Sequence, residues 1–217
     1  MAIASLTRGS DVHRHDAVTA NCLTPMVGML AKGTAKEKEA AACALRALST
    51  NPSVYTLRGL PFAAYDNPTA IVQANAAEPL VAVLLESSTS SDALKEYAAA
   101  TISNLATKAP HRLAIANAGA IAPLLRLVTH GTDAVSMAAA YALGSLAFGC
   151  PPNRSAMLEG MGDLDGKRVL ETMLKGADEA GDERRRRIAE YALRALLEPT
   201  PKEAEAAEAN KAAGAPG

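Results

Sequence analysis

The feature that most constrains this chain is that it repeats itself. The stretch Ala114–Thr129, AIANAGAIAPLLRLVT, overlays Ala70–Leu85, AIVQANAAEPLVAVLL, so that Pro123 falls on Pro79 at a spacing of about 44 residues. A third copy, VTANCLTPMVGML, spans Val18–Leu30 and carries Pro25. Alanine- and leucine-rich runs align in the same way: EAAACALRALS (Glu39–Ser49), EYAAATISNLA (Glu96–Ala106), MAAAYALGSLA (Met137–Ala147) and RIAEYALRALL (Arg187–Leu197). A unit this short, with so few aromatic groups, cannot enclose a core alone. It needs a copy of itself on each side.

Within one unit the breaks have local causes. Gly119 can take the left-handed backbone conformation that ends a helix, and Asn21 and Asn75, the next most tolerant residue type, stand at the same place in the other copies. Pro123 suits a first helical turn, where its missing N–H costs nothing. Beyond it, Ile121, Leu124, Leu125 and Val128 recur at helical spacing, and Ala139, Tyr141–Leu143 and Leu146 do so in the following segment. His111–Ala147 therefore reads as three helices, broken at Gly119 and at Thr129–Asp133.

Three helices per unit, a period of about 42–44 residues and a Gly/Asn-Ala-x-x-Pro turn resemble the armadillo repeat. HEAT repeats are of similar length but have two helices and lack that turn. The resemblance covers residues 2 to 197 and implies an all-α fold, a right-handed superhelical solenoid of about four repeats. Residues 12–50, 67–107 and 108–149 read as repeats 1 to 3. Residues 150–198 read as a divergent fourth, with Val169, Leu170, Met173 and Leu174 on its second helix and Gly176–Asp182 as an acidic link. Ala2–Thr7 overlays Ala142–Ala147, so residues 1–11 are expected to be the remnant of a truncated repeat. Residues 51–66 read as an irregular insertion, a looped or decayed segment or else a docking loop. Residues 199–217, almost without large apolar side chains, read as a disordered tail.

Composition narrows the function classes. Lys plus Arg number 22 against 23 Asp plus Glu, so no overall basic field draws nucleic acid or acidic membranes. No apolar run reaches the roughly 18 residues of a membrane-spanning helix, and with Ala at position 2 of the sequence as given N-myristoylation is not expected. Cys22, Cys43 and Cys150 include no close pair, so neither a disulfide framework nor a zinc site is indicated. Cys22 and Cys43 align with alanines and read as helix-packing residues, and the expected compartment is a reducing one, the cytoplasm first and the nucleus second. No phosphate-binding glycine loop, His-Glu-x-x-His, Cys-x-x-Cys or Gly-x-Ser-x-Gly occurs. His13-x-His15 is a weak metal signal. His13 aligns with His111 and Asn153 at the start of a first helix, where a capping role is favoured. The chain is expected to be non-enzymatic, without cofactor or metal.

What remains is a surface. The resemblance implies that the third helices line the concave face, with the residues two before and two after a central apolar position pointing into it. The central positions are Leu45, Ile102, Leu143 and Leu193. The candidate groove residues are then Glu39 and Cys43; Glu96, Ala100 and Asn104; Met137, Tyr141 and Ser145; Arg187 and Tyr191. Asn104 alone keeps the amide with which peptide-binding members grip a ligand's main chain, and no candidate position holds Trp. An importin-α role is accordingly disfavoured. Arg184–Arg187 has the composition of a nuclear localisation signal but follows Asp182-Glu183, and reads as a solvated turn. The expected function is a protein-interaction adaptor that holds an extended peptide on its concave face, as a monomer or part of a larger chain, with no nucleic acid and no membrane insertion. A substrate-recognition module of a larger ubiquitin ligase, a nuclear-import adaptor and an RNA-binding repeat are the alternatives, in that order.

Overall fold

The computed structural model describes residues 11–50, 66–86, 90–159, 165–201 and 205, and among these it contains 12 helices and no strand. They fall into four units of three. Repeat 1 holds α1 (Asp11–Thr19), α2 (Leu23–Lys32) and α3 (Ala35–Ser49); repeat 2 holds α4 (Asn67–Gln73), α5 (Ala77–Leu85) and α6 (Asp92–Leu105). Repeat 3 holds α7 (Ala109–Asn117), α8 (Ile121–His130) and α9 (Asp133–Ala147); repeat 4 holds α10 (Pro151–Glu159), α11 (Gly166–Ala180) and α12 (Glu183–Leu197). The expected remnant at 1–11 and insertion at 51–66 lie outside the described residues apart from Asp11 and Asp66, as does most of the tail at 199–217.

The turn between first and second helices forms as the sequence predicts. Asn21, Asn75 and Gly119 have φ of 58°, 59° and 87°, and the two asparagines are the non-glycine residues of positive φ among those described. In each copy the next residue donates its N–H five positions back, Cys22 to Ala17, Ala76 to Ile71 and Ala120 to Ile115, all at 3.4 Å. These bonds satisfy carbonyls that the helix end would otherwise leave open. They turn the chain by 78° between α4 and α5 and by 79° between α7 and α8. Ala76 and Ala120 just past the turn are fully buried, and Cys22 at that position is half-buried, which fits its reading as a packing residue.

The core follows from the alanine pattern. α3 packs on α6, α6 on α9 and α9 on α12, and the second helices stack beside them in the same order. Ala41, Ala42, Ala98, Ala99, Ala139, Ala140, Ala189 and Ala192 are buried between them and let the layers approach, while Leu45, Leu48, Ile102, Leu105, Leu143 and Leu146 fill the space. Leu193, the equivalent in the last described layer, is only half-buried.

Polar side chains tie the layers end to end. Asn67 Nδ2 donates to Leu48 O at 3.2 Å, His111 Nδ1 lies 3.2 Å from Leu105 O, and Asn153 Nδ2 donates to Leu146 O at 2.9 Å. Each group sits on a first helix and satisfies a last-turn carbonyl of the preceding third helix. The capping expected of His111 and Asn153 is thus of the neighbouring repeat rather than of their own helix. Two further expectations change. α8 runs on through His130, and α11 runs through Gly176 to Ala180, so the acidic link of repeat 4 shrinks to Gly181 and Asp182. Ala177 is fully buried and Gly181 ends the helix in the left-handed region, which explains why the acidic run stays helical.

Candidate functional site

The stacked third helices carry all ten candidate groove residues, and the structure divides them into two groups. The N-terminal group is occupied with its own neighbours. Glu39 accepts a 2.7 Å hydrogen bond from the Ser91 hydroxyl. Glu96 lies 3.9 Å from Arg46, whose guanidinium stands 5.4 Å from the centroid of the Tyr97 ring. Cys43 and Met137 are half-buried against the core, Ala100 is half-buried, and Arg187 pairs with Glu183 at 3.6 Å.

The second group converges. Asn104, Tyr141, Ser145 and Tyr191, from three successive third helices, line one open cleft of about 260 Å³ together with Ser103, Ala106, Thr107, Arg112 and Phe148. The rings of Tyr141 and Tyr191 are 5.1 Å apart between centroids and inclined by 34°. Their contact depends on Gly144. A Cβ at that position would lie 2.6 Å from Tyr191 Cε1 and 3.0 Å from the Ala192 Cα, so only glycine lets α9 and α12 come this close.

Hydrogen bonds hold the floor of the cleft. Asn104 Nδ2 donates to Ser49 Oγ at 2.9 Å, and the Ser103 and Ser145 hydroxyls are 2.9 Å apart, with Ser145 also donating to Tyr141 O. Asn104 therefore spends one N–H on the neighbouring helix, and among the described residues its carbonyl oxygen and second N–H take no partner. Arg112 donates from Nε to Ala106 O at 2.8 Å and from Nη2 to Thr107 O at 3.1 Å, and stands 5.6 Å from the Phe148 ring centroid. These bonds fix the guanidinium over the end of α6.

Phe148 and Arg112 were not among the sequence candidates. Phe148 is the first residue past α9, outside the helical register, and Gly149 (φ 59°) turns the chain just after it. Arg112 belongs to a first helix, which the third-helix pattern does not reach. Such a cleft offers two tyrosine rings, a phenyl ring, one amide and one cation. Among the described residues neither a histidine nor a carboxylate lines it, so none of them offers the Ser145 hydroxyl a base there.

Outside the cleft, His13 and His15 do not belong to any metal-binding group, for no set of three His, Cys, Asp or Glu side chains is placed to hold a metal among the described residues. The three cysteines are free, and burial pushes the Cys22 thiol up from its ordinary value, which lowers its thiolate fraction. Arg185, expected in a solvated turn, is instead bound to Asp133 at 2.9 Å, while Arg186 pairs with Asp178, Glu183 and Glu190. Among the described residues no single helix is long and apolar enough to cross a membrane.

Three comparisons bear on the fold. An armadillo/β-catenin-like repeat model matches residues 108–148, which is repeat 3 and contains Tyr141 and Ser145. A designed armadillo repeat protein solved with a (KR)4 peptide superposes with a TM-score of 0.72 at 22% identity, over 90% of this chain and 72% of that one. The chain has the fold of an armadillo-repeat solenoid, and residues 108–148 match the repeat itself. Another designed armadillo structure, described as made for modular peptide recognition, gives a TM-score of 0.61 at 18% identity over 90% of both chains. An engineered protein gives 0.75 at 26% identity over 91% of this chain and 43% of the other. No curated protein matches by sequence. The solenoid's third helices are thus the elements that an armadillo array stacks in register, with the cleft lying where α6, α9 and α12 meet.

Proposed function

We propose that this solenoid is a non-enzymatic protein-interaction module that binds an extended peptide segment along its stacked third helices. The observation that carries the reading is the convergence of Asn104, Tyr141 and Tyr191 on one open cleft. An extended ligand has a free main-chain N–H and C=O at every residue, and the unspent donor and acceptor of Asn104 match one such pair. The tyrosines supply rigid apolar area with a polar tip, at little entropic cost. Two of the similar solved structures are described as peptide-bound or as made for peptide recognition, which supports the same class of ligand. The near-balance of charge, 22 cationic against 23 anionic side chains, favours peptide over nucleic acid.

A displayed library of random linear peptides tests this. Selection on the whole chain, followed by fluorescence-polarisation titration of the recovered peptide, is repeated with the Asn104→Ala/Tyr141→Ala variant at matched helicity. A loss of about tenfold or more is expected, the scale of one anchoring side chain. Equal affinity for both proteins, or no recovered sequence, would remove the reading.

A further inference from the structure

The chain does not run straight on past α12. Arg194 Nε holds Glu198 Oε2 at 3.0 Å, and the segment then passes beside Gly149, where a Cβ would lie 3.6 Å from Thr200 Cγ2. Gly149 follows α9, one repeat earlier, so the segment crosses the end of the stacked third helices. There Glu198, Pro199, Thr200 and Pro201 form one wall of a second cleft of about 260 Å³, and Phe148 and Tyr191 line the same cleft. Phe148 and Tyr191 also line the Asn104 cleft, so the two spaces share an aromatic wall.

The chemistry of the crossing segment is specific. Pro199 and Pro201 lack an N–H and have fixed φ, and each biases the residue before it toward extended backbone. Short segments of this kind lose little entropy when docked and are taken up by aromatic-lined grooves. Phe148 and Tyr141 remain 48% and 47% exposed, which is apolar surface that the chain itself leaves partly open.

We infer that the aromatic wall of Phe148 and Tyr191 is a recognition site for an extended, proline-containing segment preceded by an acidic residue, and that the stretch Glu198-Pro199-Thr200, leading into the helical Pro201, is its competitor in cis. The inference rests on the peptide-binding reading above and names the ligand chemistry for that site. A tethered segment acts at an effective concentration in the millimolar range, so a separate ligand must displace it.

The probe is a fluorescein-labelled peptide copying residues 196–203, Leu-Leu-Glu-Pro-Thr-Pro-Lys-Glu. It is titrated into the full chain, into the full chain carrying Pro199→Ser/Pro201→Ser, and into that variant with Phe148→Ala added. Freeing the wall should tighten peptide binding by about threefold or more, and Phe148→Ala should reverse the gain. In the unaltered chain the Thr200 methyl proton resonance should be shifted upfield by the neighbouring rings and return toward its random-coil position in Phe148→Ala. Circular dichroism checks helicity, and Phe148→Leu, which keeps apolar bulk without the ring, serves as the second variant and should also lose the shift. Equal binding to the wild type and the serine variant, or a Thr200 methyl indifferent to Phe148, overturns the inference. The library peptide is titrated in parallel. If it binds in an Asn104-dependent way while the residue 196–203 peptide does not, the cis competitor falls and the peptide groove stands; if neither binds, both fall.

Discussion

The α3–α6 interface and the α9–α12 interface use the same alanine-lined packing and finish their outer rims differently. At the first, Arg46 lies over Tyr97 and near Glu96, while Ser91 donates to Glu39. At the second, Gly144 admits the Tyr191 ring, Tyr141 stacks beside it, and Phe148 projects just past the helix end. One rim closes on itself through polar contacts that are each worth little in water. The other leaves aromatic area uncovered, and uncovered aromatic area is what a partner can bury. Repetition of the backbone therefore does not spread the exposed aromatic surface evenly. The residue directly after the central apolar position differs between these two rims, Arg46 over the Tyr97 ring at the first and Gly144 against the Tyr191 ring at the second.

That contrast can be broken first at its tightest point. Gly144→Ala drives a Cβ against the Ala192 backbone and the Tyr191 ring, and should cost about 2 kcal/mol in urea unfolding, within the range for overpacked interiors. Next, Tyr141→Ala should weaken the selected peptide by about 1–2 kcal/mol in polarisation titrations, because the side chain is 47% exposed and mainly serves the cleft. Asn104→Ala should cost about 1 kcal/mol of thermal stability, since it removes the bond to the buried Ser49 hydroxyl.

A smaller effect is expected where repeats 2 and 3 meet at Asp66. Burial alone would push the Asp66 carboxyl up, but hydrogen bonds from Lys108 and Thr69, and the Lys108 charge, together hold it below its ordinary value. Its folded pKa is thus depressed, so its stabilising contribution is present above the unfolded carboxylate pKa of about 3.9 and is lost as pH falls through the folded value. Unfolding curves of wild type and Asp66→Asn should therefore converge as the pH falls from about 5 toward 2. Least of all, Arg46→Ala at the polar rim should change stability by less than about 0.5 kcal/mol and leave peptide affinity untouched.

Much of this was legible in the sequence because a few positions tolerate few residue types. A left-handed turn accepts glycine or asparagine, so Asn21, Asn75 and Gly119 announced both the turn and the period. The aligned alanine runs announced the stacked third helices. Their register also placed Asn104, Tyr141, Ser145 and Tyr191 on one surface, and these four meet at the cleft. The remaining six candidates share that register, yet Glu39, Glu96 and Arg187 are drawn to neighbours that differ from layer to layer. Periodicity carries no information on such pairings. Nor does it reach Phe148, beyond the helix end, or Arg112, on another helix. The acidic end of α11 misled for a different reason. Its charges look like a loop, but Lys175 lies 3.8 Å from Glu179 across one turn and Ala177 is buried beneath.

The measurement that meets the central claim most directly is a photo-crosslinking footprint. The library-selected peptide, carrying a benzophenone at its middle residue, is irradiated with the whole chain, and the crosslinked fragments are mapped by mass spectrometry. Adducts are expected on the fragments containing Tyr141–Phe148 and Tyr191, and should be lost in the Tyr141→Ala variant. Adducts concentrated on Glu39–Ser49, or spread equally over both halves, would contradict that claim.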